Sequence, residues 1–169
     1  SWTELYKSTI PLLESAIIQS GENHIIDLCS GGGGVILEVY DGLKRNYKIT
    51  LTDKFPNIKS YEFIQQKTSG GITFCKNSID ARDVPLDLKG FRVVYSAIHH
   101  FKPDDVKLVL KNAVSHKSPI AIFDGGEKSI FAIVGLILFH PIAFFLVTPF
   151  MKPFSWSRIL FTYVIPVIP

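Results

Sequence analysis

The chain has 169 residues, enough for one domain with a sizeable core, and a net charge of +3, too weak by itself to argue for a nucleic-acid partner, and none is expected. It is 47% hydrophobic with a mean hydropathy of +0.25, and the apolar excess is gathered at one end rather than spread. Its two cysteines, Cys29 and Cys75, show no metal-ligand spacing and read as buried thiols of a reducing, cytoplasmic compartment. No basic start followed by an apolar run opens the chain, so no signal peptide is expected. Ser1 in place of an initiator Met marks a trimmed chain or a fragment.

Up to about Gly126 the sequence alternates helix and strand. Pro11 suits the first turn of a helix whose Leu12, Leu13, Ala16 and Ile17 share one side, and Gly21 is a natural stop. HIIDL (24–28) reads as a short apolar strand, residues 34–46 return to helical spacing through Val35, Val39 and Leu43, and residues 47–53 are a β-branched strand. Helix is expected over 55–67 with Pro56 near its start, then strands at 72–75 and 91–98. Pro103, Asp104 and Asp105 open a further helix, and residues 119–124 form a fifth strand. Apolar strands separated by helices predict a parallel sheet covered on both faces, which binds ligands at the carboxyl ends of its strands.

One of those ends is IIDLCSGGGG, residues 25–34. Glycine costs backbone entropy on folding, so four in a row imply a tight turn, a close packing contact or a ligand lying on bare backbone. A phosphate loop needs Lys followed by Ser or Thr, but Val35 and Ile36 follow here. A dinucleotide fingerprint that begins at Gly31 and Gly33 puts its third place on Ile36, and one that begins a residue later puts it on Leu37. Either side chain would obstruct helix–strand packing, which argues against an NAD-dependent enzyme. A third option is a loop for S-adenosylmethionine, which carries no phosphate. There, amides near the helix start meet a carboxylate, and an acid ahead of the glycines holds an ammonium.

In this respect the chain resembles the class I S-adenosylmethionine-dependent methyltransferases over roughly residues 20–126. Their first motif is matched by Asp27-Leu28-Cys29-Ser30-Gly31-Gly32-Gly33, with Cys29 standing where the family has its first glycine. The resemblance implies that Asp53, in TLTDKFPN, bonds the ribose hydroxyls and that Asp80-Ala81, in SIDARDVP, reads adenine. It also implies that the strand-end run YSAIHHF, which begins its turn at Ser96, lies over the cofactor. The resulting cofactor set is Asp27, Ser30, Gly31, Gly33, Asp53, Asp80, Ala81 and Ser96. His99 and His100 are the candidate catalytic bases, needed where the acceptor must lose a proton. Asp124 faces the acceptor pocket or caps a turn. The fold implied is α/β, a Rossmann-like doubly wound sheet without the family's last two strands. The activity implied is methyl transfer to a small, apolar acceptor, with S-adenosylhomocysteine as product and no metal. A non-catalytic domain that holds the same cofactor is the alternative.

Residues 129–151 contain no charged residue, which divides the chain into 1–128 and 129–169. The run has the roughly 20 apolar residues that span a bilayer, but His140-Pro141 interrupts it and Pro149 ends it. Lys152, Phe154, Trp156 and Arg158 follow, a composition suited to a membrane interface. Two short helices bent at Pro141 are expected, on a membrane surface or as a lid over the acceptor site.

Overall fold

In the computed structural model the chain forms two units, Ser1–Gly125 and Gly126–Pro169. The structure describes residues 6–124 and, beyond them, 134, 135, 138, 139, 142, 143, 146, 148, 156, 160 and 163. The first unit runs α1 (Ile10–Ser20), β1 (His24–Leu28), α2 (Gly34–Gly42), β2 (Lys48–Thr52) and α3 (Ile58–Lys67). It continues with β3 (Ile72–Phe74), β4 (Phe91–Tyr95), a 3-10 turn (Ile98–His100), α4 (Pro103–Ser115) and β5 (Ile120–Phe123). Among the described residues the sheet has five strands in the order β3-β2-β1-β4-β5, with every pairing parallel.

Alternation along the strands sorts the side chains into two cores. Ile25, Ile49, Leu51 and Val93 pack on one face with Leu13, Ile17, Ile36, Val39 and Tyr61 of α1–α3. Ile26, Leu28 and Val94 pack on the other with Val84, Ala97 and Val109. The strands are therefore apolar on both faces, as a covered parallel sheet demands. The sheet order reverses between β1 and β4. That leaves a crevice at their carboxyl ends, where α/β sheets hold ligands.

Several boundaries differ from the spacing-based expectation, for tertiary reasons. α2 stops at Gly42 rather than running to residue 46. A Cβ at Gly42 would lie 2.4 Å from Ile10 Cδ1, and the Lys44 N–H is drawn instead to Glu14 Oε1 (2.7 Å). α3 begins after Pro56, at Ile58, with Asn57 capping it by accepting from the Ser60 N–H. β4 ends at Tyr95 because Ser96 turns left-handed, φ 47°.

One buried charge stands apart from the site. Arg92 of β4 is fully buried; its guanidinium donates to Asn112 Oδ1 (2.7 Å) and bonds His116 Nδ1 (3.1 Å), and its Nε has no partner. Burial draws its pKa down. A buried charge is costly unless its donors are met. Asn112→Ala therefore is expected to cost about 1.5–3 kcal/mol, the worth of a hydrogen bond to a charged group, measured by urea unfolding.

Candidate functional site

The crevice starts from the turn after β1. The Ser30 N–H donates to the Thr52 carbonyl (2.9 Å), and the Ser30 hydroxyl donates to the Asp27 carbonyl (3.0 Å) while accepting from the Thr52 N–H (3.1 Å). The Thr52 hydroxyl donates to the same Asp27 carbonyl (2.8 Å). Ser30 thus fastens the glycine turn to the end of β2. The turn then closes with the Gly33 N–H on the Ser30 carbonyl (2.7 Å).

The glycines divide into two kinds. Gly33, φ 73°, faces the interior, where a Cβ would lie 2.5 Å from Ile64 Cδ1 and 3.2 Å from Leu51 Cδ1. Its missing side chain lets α3 close onto the turn. At Gly31 (φ 54°), Gly32 and Gly34 a Cβ would meet nothing within 4 Å. The space beside that stretch is open although the Gly32 carbonyl accepts from the Ser60 hydroxyl (2.7 Å), and the N-terminal amides of α2 begin next to it.

Three carboxylates gather around this turn. Asp27, buried in β1, has its carboxyl pushed up to about 7: burial is the main cause, Ser30 pulls it back, and the nearby Asp53 raises it further. Asp53, at the end of β2, accepts from the Gly31 N–H through Oδ2 (2.8 Å) and from the Phe55 N–H through Oδ1 (2.8 Å). It therefore braces the turn from the neighbouring strand. The Ile79 N–H donates to the Asp53 carbonyl (2.9 Å) and the Ser78 hydroxyl to the Lys54 carbonyl (2.7 Å), which brings the Asp80-Ala81 segment alongside. Asp80 is fully engaged. Arg82 donates to it from its backbone N–H (3.0 Å), Nε (2.9 Å) and Nη2 (2.6 Å), and Lys54 Nζ lies 3.1 Å away. Arg82 holds its carboxyl well below the usual range, and Arg82 also bridges to Asp105 of α4 (2.8 Å). Ala81 is buried beside it.

The Cys29 thiol lies among these acids. Burial first, then Asp53, Asp27 and Asp80, push it up to about 12, which makes it a packing group rather than a nucleophile. Both cysteines are free thiols. Cys29 (φ 59°) and Ser96 (φ 47°) are non-glycine residues in left-handed conformation, each directly after one of the two central strands. Such strain collects where a turn must present particular groups. Ser96 is fixed by its N–H on the Phe123 carbonyl (2.8 Å) and by a hydroxyl contact with Tyr6. Tyr6 and Tyr95 meet edge to face at 5.5 Å, and Tyr95 stacks on Phe123 at 4.9 Å.

On the other side of the reversal, the 3-10 turn after β4 meets the end of β5. Asp124 accepts the His99 backbone N–H (2.9 Å), and His99 Nδ1 lies 3.0 Å from both of its carboxylate oxygens. An Nδ1–H bound to carboxylate leaves Nε2 with the lone pair, the tautomer a base requires. The His100 ring packs at 4.1 Å from that of His99. Asp27, Ser30, Gly31, Asp53, Asp80 and Ala81 thus come together on the β1–β2–β3 side of the crevice. Ser96, His99 and His100 lie on the β4 side, and Gly33 faces the interior. Sequence reasoning did not pair His99 with Asp124, and it passed over Thr52 and Tyr6. The pairing follows from the β4–β5 register, with Tyr95 opposite Phe123. Two surface hollows of about 420 Å³ each lie along α1 and the end of α2, lined by residues such as Pro11, Glu14 and Lys44, and touch none of these residues. Among the described residues no three His, Cys, Asp or Glu side chains converge as a metal site would need.

No family model matches this chain, and no curated protein matches it. Solved structures do. Mitomycin 7-O-methyltransferase superposes with a TM-score of 0.51 at 17% identity over 71% of this chain and 37% of that one. A candidate methyltransferase of Bacillus halodurans gives 0.51 at 18% identity over 79% and 59%. A candidate O-methyltransferase of Nostoc punctiforme gives 0.50 at 16% identity over 96% and 52%. The chain has the class I methyltransferase fold. It spans between about a third and three fifths of the length of these methyltransferases.

Two stability tests separate the roles within the methyltransferase-type turn. Alanine at Gly31 or Gly33 incurs left-handed strain of about 1 kcal/mol, but only Gly33→Ala adds the overlap with Ile64. Thermal melting should show Gly33→Ala the less stable by roughly 1 kcal/mol or more. Asp27 provides the second test. Its folded-state pKa of about 7 lies above the ordinary 3.8, so the folded domain bears the full cost of the buried charge above about 7 and is relieved as pH falls toward 3.8. Asp27→Asn should therefore melt at a higher temperature than the parent above about 7, and the gain should vanish toward 3.8.

Proposed function

We propose that this protein is an S-adenosylmethionine-dependent methyltransferase acting in the cytoplasm on a small, apolar acceptor. The observation that carries the reading is the acidic crevice: Asp27 and Asp53 on either side of open glycine backbone, with Asp80 beside them. A pyrophosphate would meet repulsion there. A cosubstrate with an ammonium and a sulfonium would meet attraction, and Asp27, held up to about 7, gains most from a cation. The site fits this group on its open backbone as well, and the large buried side chain of Ile36 disfavours the nicotinamide alternative.

Once bound, S-adenosylmethionine supplies an electrophilic methyl group on sulfur. The chain's own residues bind and align. Asp27 would balance the ammonium, the backbone at Gly31–Gly34 would accommodate the amino-acid end, Asp53 would offer its remaining lone pairs to the ribose, and Ala81 would border the adenine. Asp80 can take part only by sharing its carboxylate with Arg82 and Lys54. In-line alignment supplies much of the rate, and Ser96 helps fix the β4 side of the crevice. His99 Nε2 takes the proton of an acceptor hydroxyl or amine, with Asp124 holding the ring and balancing the imidazolium. His100 is the neighbouring reserve base.

Calorimetric titration with S-adenosylhomocysteine and with NAD, side by side, tests the cofactor. Heat with the first and none with the second is expected, and the reverse outcome would remove the reading. With an acceptor in hand, His99→Gln should lower kcat by about 10²–10⁴ and leave S-adenosylhomocysteine affinity unchanged. Binding without transfer to any phenol or amine offered would leave the domain as a cofactor-holding module.

A further inference from the structure

The charge of this protein is unevenly placed. All 15 acidic residues lie at or before Glu127, while three of the 18 basic residues, Lys128, Lys152 and Arg158, lie after it. Residues 1–127 are therefore neutral overall, and the whole net charge of +3 belongs to 128–169. The same segment holds the uncharged run 129–151. Strong apolarity joined to exclusively positive charge is an unusual combination for a surface that meets water or a mixed-charge protein.

Within that run, residues 134, 135, 138, 139, 142, 143 and 146 are helical. Val134, Leu138, Ile142 and Leu146 are 48%, 59%, 56% and 67% exposed, and Phe139 is 69% exposed. In the following stretch Trp156, Leu160 and Tyr163 are helical at spacings of four and three, and all three are exposed. The described exposed side chains of the uncharged run are aliphatic or phenylalanine, whereas the stretch that carries Lys152 and Arg158 adds an exposed tryptophan and tyrosine to Leu160. Lipid interfaces sort residues this way, with acyl chains taking aliphatics and headgroups taking Trp, Tyr, Lys and Arg. Pro141, Lys152 and Arg158 lie outside the described residues. Among the described residues no helix is long and apolar enough to cross a membrane.

We propose that residues 128–169 dock this protein onto a bilayer containing anionic lipid. The exposed Val134, Leu138, Phe139, Ile142 and Leu146 enter the acyl region, Trp156 and Tyr163 sit at the boundary, and the positive charges of Lys128, Lys152 and Arg158 favour the negative headgroups. Charge complementarity selects this occupant: with no acid in the segment, nothing opposes an anionic surface. The inference is independent of methyl transfer.

The test uses the full chain carrying Trp2→Phe, which leaves Trp156 as the only tryptophan. Flotation is measured with vesicles of phosphatidylcholine alone and of phosphatidylcholine mixed with phosphatidylserine, at low and high salt. Binding to the mixed vesicles at low salt should exceed binding to phosphatidylcholine by roughly tenfold or more, and the preference should shrink as salt rises. Trp156 emission should shift to the blue on binding. Leu138→Asp with Ile142→Asp should abolish flotation, with circular dichroism unchanged because both positions are exposed. Lys152→Glu with Arg158→Glu should remove the preference for phosphatidylserine. Equal flotation on both vesicle types overturns the proposal, as does an aspartate variant that floats like the parent. A chain that stays in the aqueous fraction overturns it too, whether monomeric, as a lid over its own site would leave it, or self-associated.

Discussion

Parallel pairing of β1 with β2, Asp27 opposite Leu51 and Leu28 opposite Thr52, determines what the crevice can hold. In that register the two strands end level, so the turn leaving β1 can be fastened to the last residue of β2 through Ser30 and Thr52. It also brings Asp53 to the amide of Gly31. A slip by one residue would carry Asp27 to the opposite face of the sheet and exchange Ile25 and Ile26 between the two cores. The two hydrophobic cores forbid that slip, because Ile25 and Ile26 belong to different layers. Packing of the sheet and placement of the carboxylates are one constraint.

The acids then take different roles according to their surroundings. Asp27 has lost water and gained no cation. Asp53 accepts one backbone amide on each oxygen and keeps acceptor capacity on both. Asp80 is clasped by Arg82 and Lys54, and Arg82 extends the clasp to Asp105 at the start of α4. The β3 side of the crevice is thereby tied to the β4 side by a charged bridge.

Much of this was legible in the sequence, and the exceptions share a cause. HIIDL reads as a strand and is one, because five residues with an apolar run ahead of glycines leave little choice. Pro103 with two acids marks the start of α4, since those signals are local. The early end of α2 was not legible: it depends on Ile10 and Glu14, about thirty residues away. Nor was the pairing of His99 with Asp124, which requires β4 and β5 to be neighbours in a known register. The division of labour between Gly31 and Gly33 was hidden as well. Both are left-handed, and only the position of Ile64 on α3 distinguishes packing from open backbone.

The acids around Cys29 also bear on turnover. In the proposed reaction the ligand enters with a positive sulfur and leaves as a neutral thioether. The same field that draws the reactant in loses part of its hold once the methyl group has gone. Product escape would then be favoured by the chemistry itself.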